Sequence, residues 1–269
     1  MGDESMNLIQ IAGVGKKLSS IFHLKKKETK FLYSIKGKKY MTSRHEMHIR
    51  IVNELMKVAV SVEKEKKPLA ILIGGGTASG KTTLRKIVIE SELSKRGIYA
   101  VTVDPDIVKE YIPEFNAYKK TDPSHAAYLV HKESCDISAL LLDHLIKNWM
   151  HLIYEGTMAK TPKYVKLIKK LKKAGYEVHA YVVDVPIEVA KQRSDDRAKL
   201  TRRKVPHHVI ENTHKLVPIT IERIKNQLDS YQIYDTQHDL TLIASNNYVE
   251  PELYSNFLKK SGINPKTRL

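Results

Sequence analysis

The fold of this chain follows from the stretch Leu69-Ala-Ile-Leu-Ile-Gly-Gly-Gly-Thr-Ala-Ser-Gly-Lys-Thr-Thr-Leu84. Its first five residues form an uninterrupted apolar run, which is typical of a parallel β-strand covered on both faces. Residues 75–82 then fit the pattern G-x-x-x-x-G-K-[ST], and a helical pattern follows them. The stretch therefore predicts a phosphate-binding loop (P-loop) between a buried strand and a helix.

A P-loop binds phosphate with its backbone and with two side chains. Glycines allow the backbone N–H groups to turn inward around phosphate oxygens, and the helix that follows adds the positive end of its dipole. Lys81 supplies charge to the β- and γ-phosphates, and the Thr82 hydroxyl can ligate Mg²⁺. We expect this loop to bind ATP or GTP with Mg²⁺. The predicted nucleotide-binding residues are Gly75, Gly76, Thr77, Ala78, Ser79, Gly80, Lys81, Thr82 and Thr83.

The rest of the chain alternates between further apolar runs and helical stretches. Strands with helical crossovers predict an α/β fold, a three-layer parallel sheet of the P-loop nucleoside triphosphate hydrolase and kinase type. In such sheets, ligands bind at the carboxyl ends of the strands. The predicted strands after the first are residues 98–103, 151–154, 178–183 and 240–243.

The first quarter of the chain differs in composition from the rest. Lysines cluster at 25–27 and 36–39, and apolar residues at three- and four-residue steps predict a helix over about 42–62. We interpret residues 1–66 as a basic, partly helical N-terminal extension and residues 67–269 as the P-loop kinase domain.

Composition and charge limit the functional class. The 269 residues are 42% hydrophobic and 28% charged, with a net charge of +16, so the surface attracts anions. The single cysteine, Cys135, fits a reducing cytoplasm, and no apolar run approaches the roughly 20 residues that span a bilayer. We expect a cytoplasmic protein without a membrane segment.

Acidic side chains follow the second predicted strand. Asp104 and Asp106 lie where the γ-phosphate of a bound nucleotide should point, and a kinase needs a carboxylate there to accept the proton of the attacking hydroxyl. Asp104 can also cap a helix that begins at Pro105. The two roles are compatible, with Asp104 as cap and substrate contact and Asp106 as base.

The third predicted strand ends in Glu155-Gly-Thr157. Glu155 can hold a magnesium-bound water, and Thr157 can donate a hydrogen bond to the substrate. In the preceding helix, Glu133 lies on or beside the inward face. A polar substrate is one partner for such a carboxylate, and the alternative is a boundary residue that reaches solvent.

Arginines follow the fourth predicted strand. Arg193 and Arg197 lie one helical turn apart, and Arg202-Arg203-Lys204 comes soon after. Like charges at this spacing repel unless an anion lies between them, and the planar guanidinium suits a transferring phosphoryl group. Surface ion pairs with Asp195 and Asp196 are the alternative.

Two other patterns have simpler explanations. His207, His208 and His214 lack the spacing and the additional ligands of a zinc site. The lysine-rich helix predicted at 163–173 has the pattern of an amphipathic surface helix with a solvated face.

Together these motifs resemble the zeta toxin family of P-loop kinases over about residues 68–235. The resemblance rests on the P-loop and on Asp106-Ile-Val-Lys-Glu-Tyr-Ile-Pro113, which is similar to the family's D-x-F-R-x-x-H-P segment. It rests also on Glu133, on Glu155-Gly-Thr157 and on the arginine-rich segment that ends at Pro206. The order of these motifs is more specific than any one of them.

The resemblance implies an activity and residue roles. Family members use ATP and Mg²⁺ to phosphorylate the 3′-hydroxyl of UDP-N-acetylglucosamine, and an antitoxin is a possible partner. It implies Asp106 as general base, Lys81 as γ-phosphate ligand, and Glu133 and Thr157 at the substrate. It also implies that Arg203, with Arg197 or Arg193, stabilises the transferred charge.

The chain departs from the family pattern on the acceptor side. Pro105 stands where the family often has Asn, Lys109 replaces the usual Arg, and Ile112 replaces His. We therefore keep another acceptor open: a different sugar, a nucleoside, an antibiotic or a protein hydroxyl. The second hypothesis is a nucleotide-gated ATPase that binds nucleic acid through its lysines, which the scarcity of aromatic residues among them disfavours.

Overall fold

The computed structural model describes residues 28–63, 65–201 and 205–263. Its centre is a six-stranded sheet in the order β4-β5-β3-β6-β7-β8. The first five strands in this order are parallel, and β8 pairs antiparallel with β7. The strands are β3 (Leu69–Gly75), β4 (Val101–Val103), β5 (Leu152–Glu155), β6 (Glu177–Asp184), β7 (Ser230–Asp235) and β8 (Thr241–Ser245).

Helices cover both faces of the sheet. Alternate side chains of β3 pack on opposite faces of the sheet: Ala70 and Leu72 belong to one hydrophobic cluster, and Ile71 and Ile73 to another. The sheet is therefore the middle one of three layers. The α/β three-layer prediction is confirmed. The helices of this domain are α4 (Pro105–Lys109), α5 (Pro113–Thr121), α6 (Ala126–Lys147), α7 (Thr161–Lys173), α8 (Ile187–Thr201), α9 (His207–Ile224) and α10 (Pro251–Lys259).

The helix that follows the P-loop, α3, is continuous but irregular. It begins with the α-helical turn Lys81–Leu84, passes through a π-helical segment at Arg85–Ile89, and ends as α-helix at Glu90–Lys95. Buried Leu84, Ile89 and Leu93 pack it on the second cluster. This packing aims the start of the helix at the carboxyl end of β3.

The segment before β3 forms a small structured unit on α6. It contains α1 (Thr29–Leu32), a two-stranded hairpin of β1 (Ser34–Ile35) and β2 (Lys39–Tyr40), and α2 (Thr42–Leu55). Helix α2 ends earlier than the predicted 62. The lysine cluster at 25–27 lies outside the described residues, and the domain boundary at 66/67 stays a prediction.

Two strands at the edge of the sheet differ from the prediction. Strand β7 is absent from the predicted set, because Ser-Tyr-Gln-Ile-Tyr-Asp alternates with polar residues and only Ile233 is buried. Strand β8 is antiparallel because a short loop, rather than a crossover helix, joins it to β7. Helix α7 agrees with the prediction: Tyr164, Leu167, Ile168 and Leu171 are its buried face.

Candidate active site

The P-loop wraps tightly around the Lys81 side chain. The Lys81 ammonium donates hydrogen bonds to the carbonyls of Gly75 at 3.1 Å and Gly76 at 2.8 Å. Gly75 has φ +149°, and a Cβ there would lie 2.5 Å from Ser79 Oγ and 2.6 Å from the Val183 carbonyl. Only glycine fits this close approach between the loop and β6.

Helix α9 and the β7–β8 loop hold the P-loop from outside. The Thr77 N–H donates to Thr213 Oγ1 at 3.0 Å, and His214 Nε2 donates to the Thr77 carbonyl at 3.0 Å. Thr236 Oγ1 donates to the Ser79 carbonyl at 2.6 Å. Burial lowers the pKa of His214 to about 4, so the ring is neutral at physiological pH. Among the described residues, no group of three or more His, Cys, Asp or Glu side chains could hold a metal ion.

The sequence patterns do not point to Thr213 and Thr236, and they assign His214 no role at the loop. These residues are separated from the P-loop by more than a hundred positions. No spacing rule relates such distant residues, so only the packing of α9 and the β7–β8 loop identifies them.

A carboxylate from the neighbouring strand faces the start of α3. Glu155, at the end of β5, accepts from Thr82 Oγ1 at 3.0 Å and from Arg85 Nε at 2.8 Å. Arg85, which no sequence motif indicates, ion-pairs with Glu90 as well. A threonine hydroxyl beside a carboxylate is the oxygen donor set that Mg²⁺ prefers, so Thr82 and Glu155 fit the predicted metal role.

Asp104 and Asp106 lie at the first turn of α4. Asp104 caps the helix by accepting from the Asp106 N–H at 2.8 Å, with Pro105 in the first turn, as the sequence predicts. Burial raises the pKa of Asp104 to about 6, against the opposing effect of that hydrogen bond. Asp106 is more than half exposed and ion-pairs with Lys109, whose side chain is buried. The exposed carboxylate of Asp106 is thus held by a fixed cation.

The charges around Lys81 show which groups share its site. Burial lowers the pKa of Lys81 to about 8; the carboxylates of Glu155, Asp104 and Asp106 act to raise it, and the Arg197 guanidinium acts to lower it. Carboxylates and an arginine therefore lie around the P-loop lysine. Lys81 and these four predicted residues therefore interact electrostatically, and their roles in binding and catalysis stay predictions.

The other predicted arginines differ in position. Arg193 donates to the carbonyls of Thr236 at 2.6 Å and Gln237 at 3.1 Å, so it binds the β7–β8 loop. Arg203 lies outside the described residues. Asp195 contacts His207, and Asp196 contacts Lys199.

A cavity opens beside Arg197. Its volume is about 330 Å³, and it lies between α5 and the start of α6 on one side and α8 on the other. The lining combines an apolar floor with a charged rim, consisting of Glu110, Phe115, Lys119, Pro123, Ala126, Ala127, Arg197 and Thr201. Lys119 Nζ lies 4.7 Å from the centre of the Phe115 ring and 2.6 Å from Glu110 Oε2. A partly apolar, partly charged small molecule suits such a cavity.

Comparison with known proteins identifies the family. The family model described as "Zeta toxin" matches residues 52–248. The chain belongs to the zeta toxin family. This match covers the P-loop, the α4 carboxylates, Glu155 and the arginines of α8, and it begins within α2.

A curated relative is consistent with the assignment to the zeta toxin family, and two solved structures share the fold. "Toxin zeta" of Enterococcus hirae is 26% identical over 51% of this chain, and the match covers 46% of that protein, so the chain spans about half of this relative's length. The toxin–antitoxin structure of PezAT from Streptococcus pneumoniae superposes with a TM-score of 0.63 at 18% identity, covering 82% of this chain and 90% of that one. The AvrRxo1-ORF1:-ORF2 complex with ATP gives a TM-score of 0.68 at 18% identity, covering 89% and 83%.

Two residues that the zeta toxin resemblance assigns to substrate have distinct surroundings here. Thr157 is half-buried in the loop between β5 and α7. Glu133 is fully buried and accepts hydrogen bonds from Arg44 and His48 of α2. The sequence motifs predict neither partner of Glu133, because both partners come from the segment before the P-loop.

Proposed function

We propose that this protein is a kinase that transfers the γ-phosphoryl group of ATP to a hydroxyl of a small molecule. The observation that carries the proposal is the set of charges that act on Lys81: the carboxylates of Glu155, Asp104 and Asp106 and the guanidinium of Arg197. A nucleotide switch needs the lysine and a magnesium site, but it has no use for an exposed carboxylate beyond the γ-phosphate. Such a carboxylate suits an acceptor hydroxyl.

The residues divide the work of phosphoryl transfer. Lys81 and the P-loop amides hold the triphosphate, and Arg197 neutralises charge on the transferring group. Asp106 accepts the proton of the acceptor hydroxyl, whose oxygen forms a bond to the γ-phosphorus while the bond between that phosphorus and the bridging oxygen of ADP breaks. Mg²⁺, held through Thr82 and Glu155, would supply further neutralisation of phosphate charge. Because Arg193 is bound to loop carbonyls, the geometry favours Arg197 for this role, together with Arg203 as the resemblance implies.

The acceptor we propose is UDP-N-acetylglucosamine, as membership of the zeta toxin family suggests. Asp104 and Thr157 are the proposed substrate contacts. Pro105, Lys109 and Ile112 change the acceptor side, so another sugar, a nucleoside, an antibiotic or a protein hydroxyl is the alternative acceptor. We propose ATP over GTP, since a structural neighbour was solved with ATP.

An antitoxin is the protein partner that we propose. One solved neighbour belongs to the PezAT toxin–antitoxin system, and another is a complex of AvrRxo1-ORF1 with AvrRxo1-ORF2. Among the described residues, no helix combines the length and apolar character needed to cross a membrane.

The decisive experiment incubates the protein with labelled ATP, Mg²⁺ and a metabolite extract, and then identifies the labelled product. Asp106→Asn should keep ATP binding and lose transfer by about 100-fold or more, because the proton acceptor is removed. Lys81→Ala should lose both transfer and most of the ATP affinity. The matched control is Asp239→Asn, an exposed carboxylate in the β7–β8 loop, which should transfer at the wild-type rate.

Two results would overturn this assignment. Wild-type turnover by Asp106→Asn would exclude that residue as base, and unchanged activity of Lys81→Ala would remove the P-loop from the mechanism. A protein that binds ATP, labels no acceptor and binds oligonucleotides with an affinity that falls steeply with salt would instead support the nucleic-acid hypothesis. Five exposed lysines on α7, at positions 163, 166, 169, 170 and 173, are the surface for that alternative.

A further inference from the structure

The residues from Thr29 to Leu55, which we call the N-terminal cap, connect two helices through one arginine. Arg44 of α2 donates to Glu133 of α6 from Nε at 2.6 Å and from a terminal nitrogen at 2.9 Å. It also donates to both carboxylate oxygens of Glu114 on α5, at 2.9 and 2.8 Å. Such two-point contacts fix the relative orientation of the groups that they join, because the guanidinium is planar and rigid.

The surroundings of Arg44 hold it in place. Its guanidinium carbon lies 3.9 Å from the centre of the Tyr33 ring, and its side chain is only 8% exposed. His48 donates to Glu133 at 2.7 Å from the next turn of α2. Burial acts to raise the pKa of Glu133, but the hydrogen bonds from His48 and Arg44 outweigh burial and hold that pKa at about 2. Glu133 is therefore an anion whose compensation comes from the cap.

Further contacts of the cap reinforce this arrangement. Lys30 Nζ lies 2.7 Å from Asp136 of α6, and the Tyr40 hydroxyl donates to the same carboxylate at 2.8 Å. The cap thus places cations and donors against acidic residues of α5 and α6. Electrostatic complementarity of this kind sets register between two surfaces.

The two helices that Arg44 joins are also walls of the cavity beside Arg197. Phe115 and Lys119 of α5 and Ala126 and Ala127 of α6 line it. Phe115 directly follows Glu114, which accepts from Arg44. A displacement of α5 relative to α6 would therefore change the shape of the cavity wall that faces α8.

We infer that Arg44 is a positioning residue for acceptor specificity, which sets the shape of the cavity wall formed by α5 and α6 by binding Glu114 and Glu133 at once. This inference rests on the proposed kinase function, with the cavity as the acceptor side of the site. Arg44 and His48 precede residue 52, where the match to the zeta toxin family begins. Arg44 therefore lies outside the matched region, and it binds Glu133, a carboxylate that the family resemblance assigns to substrate.

The test uses Arg44→Met, Glu114→Gln and the double variant that combines these two substitutions. Each of them is compared with the control variant Arg50→Met. Arg50 is an exposed arginine on the same helix, so its substitution is the matched control. Each variant is first checked for cooperative unfolding and for ATP binding. Glu114→Gln is the milder change, since it weakens one of the two carboxylate contacts and leaves no buried anion without a partner.

The first measurement is amide hydrogen exchange, which does not depend on the acceptor. Arg44→Met and Glu114→Gln should raise the exchange rate of α5 by about tenfold or more, since its contact with α6 through Arg44 is lost in the first and weakened in the second, and leave α3 unchanged. Arg50→Met should exchange like the wild type. Unchanged exchange of α5 in both variants would overturn the inference.

The second measurement is transfer of label from ATP to UDP-N-acetylglucosamine and to the metabolite extract. Arg44→Met should raise the acceptor concentration for half-maximal transfer by about tenfold or more and alter the set of labelled products, with the corresponding value for ATP within about twofold. The double variant should lose less than the sum of the single losses, because both act on one contact. Equal losses toward ATP and acceptor would indicate a merely structural role and overturn the inference. A wild type that labels nothing refutes the kinase proposal, while the exchange result still decides whether Arg44 positions α5.

Discussion

The Asp104 side chain caps a helix, but burial of its charged form destabilises the folded protein. It accepts the Asp106 N–H and so begins α4, but burial raises its pKa to about 6 from the ordinary 3.8. In the folded protein the proton is thus held more tightly than in the unfolded chain. The raised pKa of Asp104 therefore leaves the free energy of unfolding unchanged below pH 4. It lowers that free energy as the pH rises between about 4 and 6, and the loss remains above pH 6.

Asp104→Asn should remove this cost and retain the cap, because asparagine is an equally good N-cap residue. We expect the variant to be more stable than the wild type by about 1–2 kcal/mol at pH 7.5, after allowance for partial exposure, and equal to it at pH 4. Urea unfolding at the two pH values measures the difference. A variant that is less stable at pH 7.5, or one whose advantage is the same at both values, would contradict the assigned pKa.

At the scale of elements, the close packing of α9 on the P-loop is the feature that sequence spacing does not reveal. A Cβ added to Gly76 would lie 2.2 Å from a ring carbon of His214, and the same ring donates to the carbonyl of the next residue. The nucleotide loop is therefore shaped from both sides, by its own glycines and by a helix that follows it by more than a hundred residues.

Gly76→Ala should displace the loop from α9. We expect a loss of about 1–3 kcal/mol in unfolding free energy, as for other overpacked sites, together with weaker ATP binding. The double variant with His214→Ala should recover part of the ATP affinity, since the ring that meets the new methyl group is gone. Chemical denaturation and calorimetric titration with ATP measure the two effects. A single variant with wild-type affinity would show that the loop does not need this contact.

At the scale of the whole molecule, strand order decides which residues meet. Strand β4 lies two positions from β3, so its carboxyl end stands about 10 Å from that of the P-loop strand, with β5 between them. This spacing leaves room for phosphate between the Lys81 and Asp104–Asp106 sides, while Glu155 enters from the strand between. Under the proposed function, the strand order brings the P-loop cation and the acidic residues to the same end of the sheet.

Nucleotide binding at this site should stabilise the whole fold. For ATP with Mg²⁺ at about 100 times its Kd, linkage predicts roughly 2.7 kcal/mol, which raises the unfolding temperature of a chain of this size by about 5 °C. Differential scanning calorimetry with increasing ATP measures the shift. Lys81→Ala should show little of it, and an equal shift in that variant would place ATP binding elsewhere.

Features that depend on local spacing can be predicted from the residues alone. The apolar run and the G-x-x-x-x-G-K-[ST] pattern predict the strand, the loop and the helix, and Pro105 after Asp104 predicts the cap, because neighbouring residues in the chain set these geometries. The amphipathic pattern of α7 is equally local. The edge of the sheet cannot be predicted in this way. Strand β7 alternates with polar residues and so lacks an apolar run, and the short loop after it makes β8 antiparallel.

The distant contacts of the site, in contrast, depend on tertiary packing. Thr213, His214 and Thr236 hold the P-loop, Arg193 binds the β7–β8 loop, and Arg44 binds Glu133, and in each case the partners are far apart in the chain. The physical reason is that a buried charge or polar group must find compensation wherever packing places a donor. That choice depends on how the helices lie on the sheet, and residue spacing does not encode it.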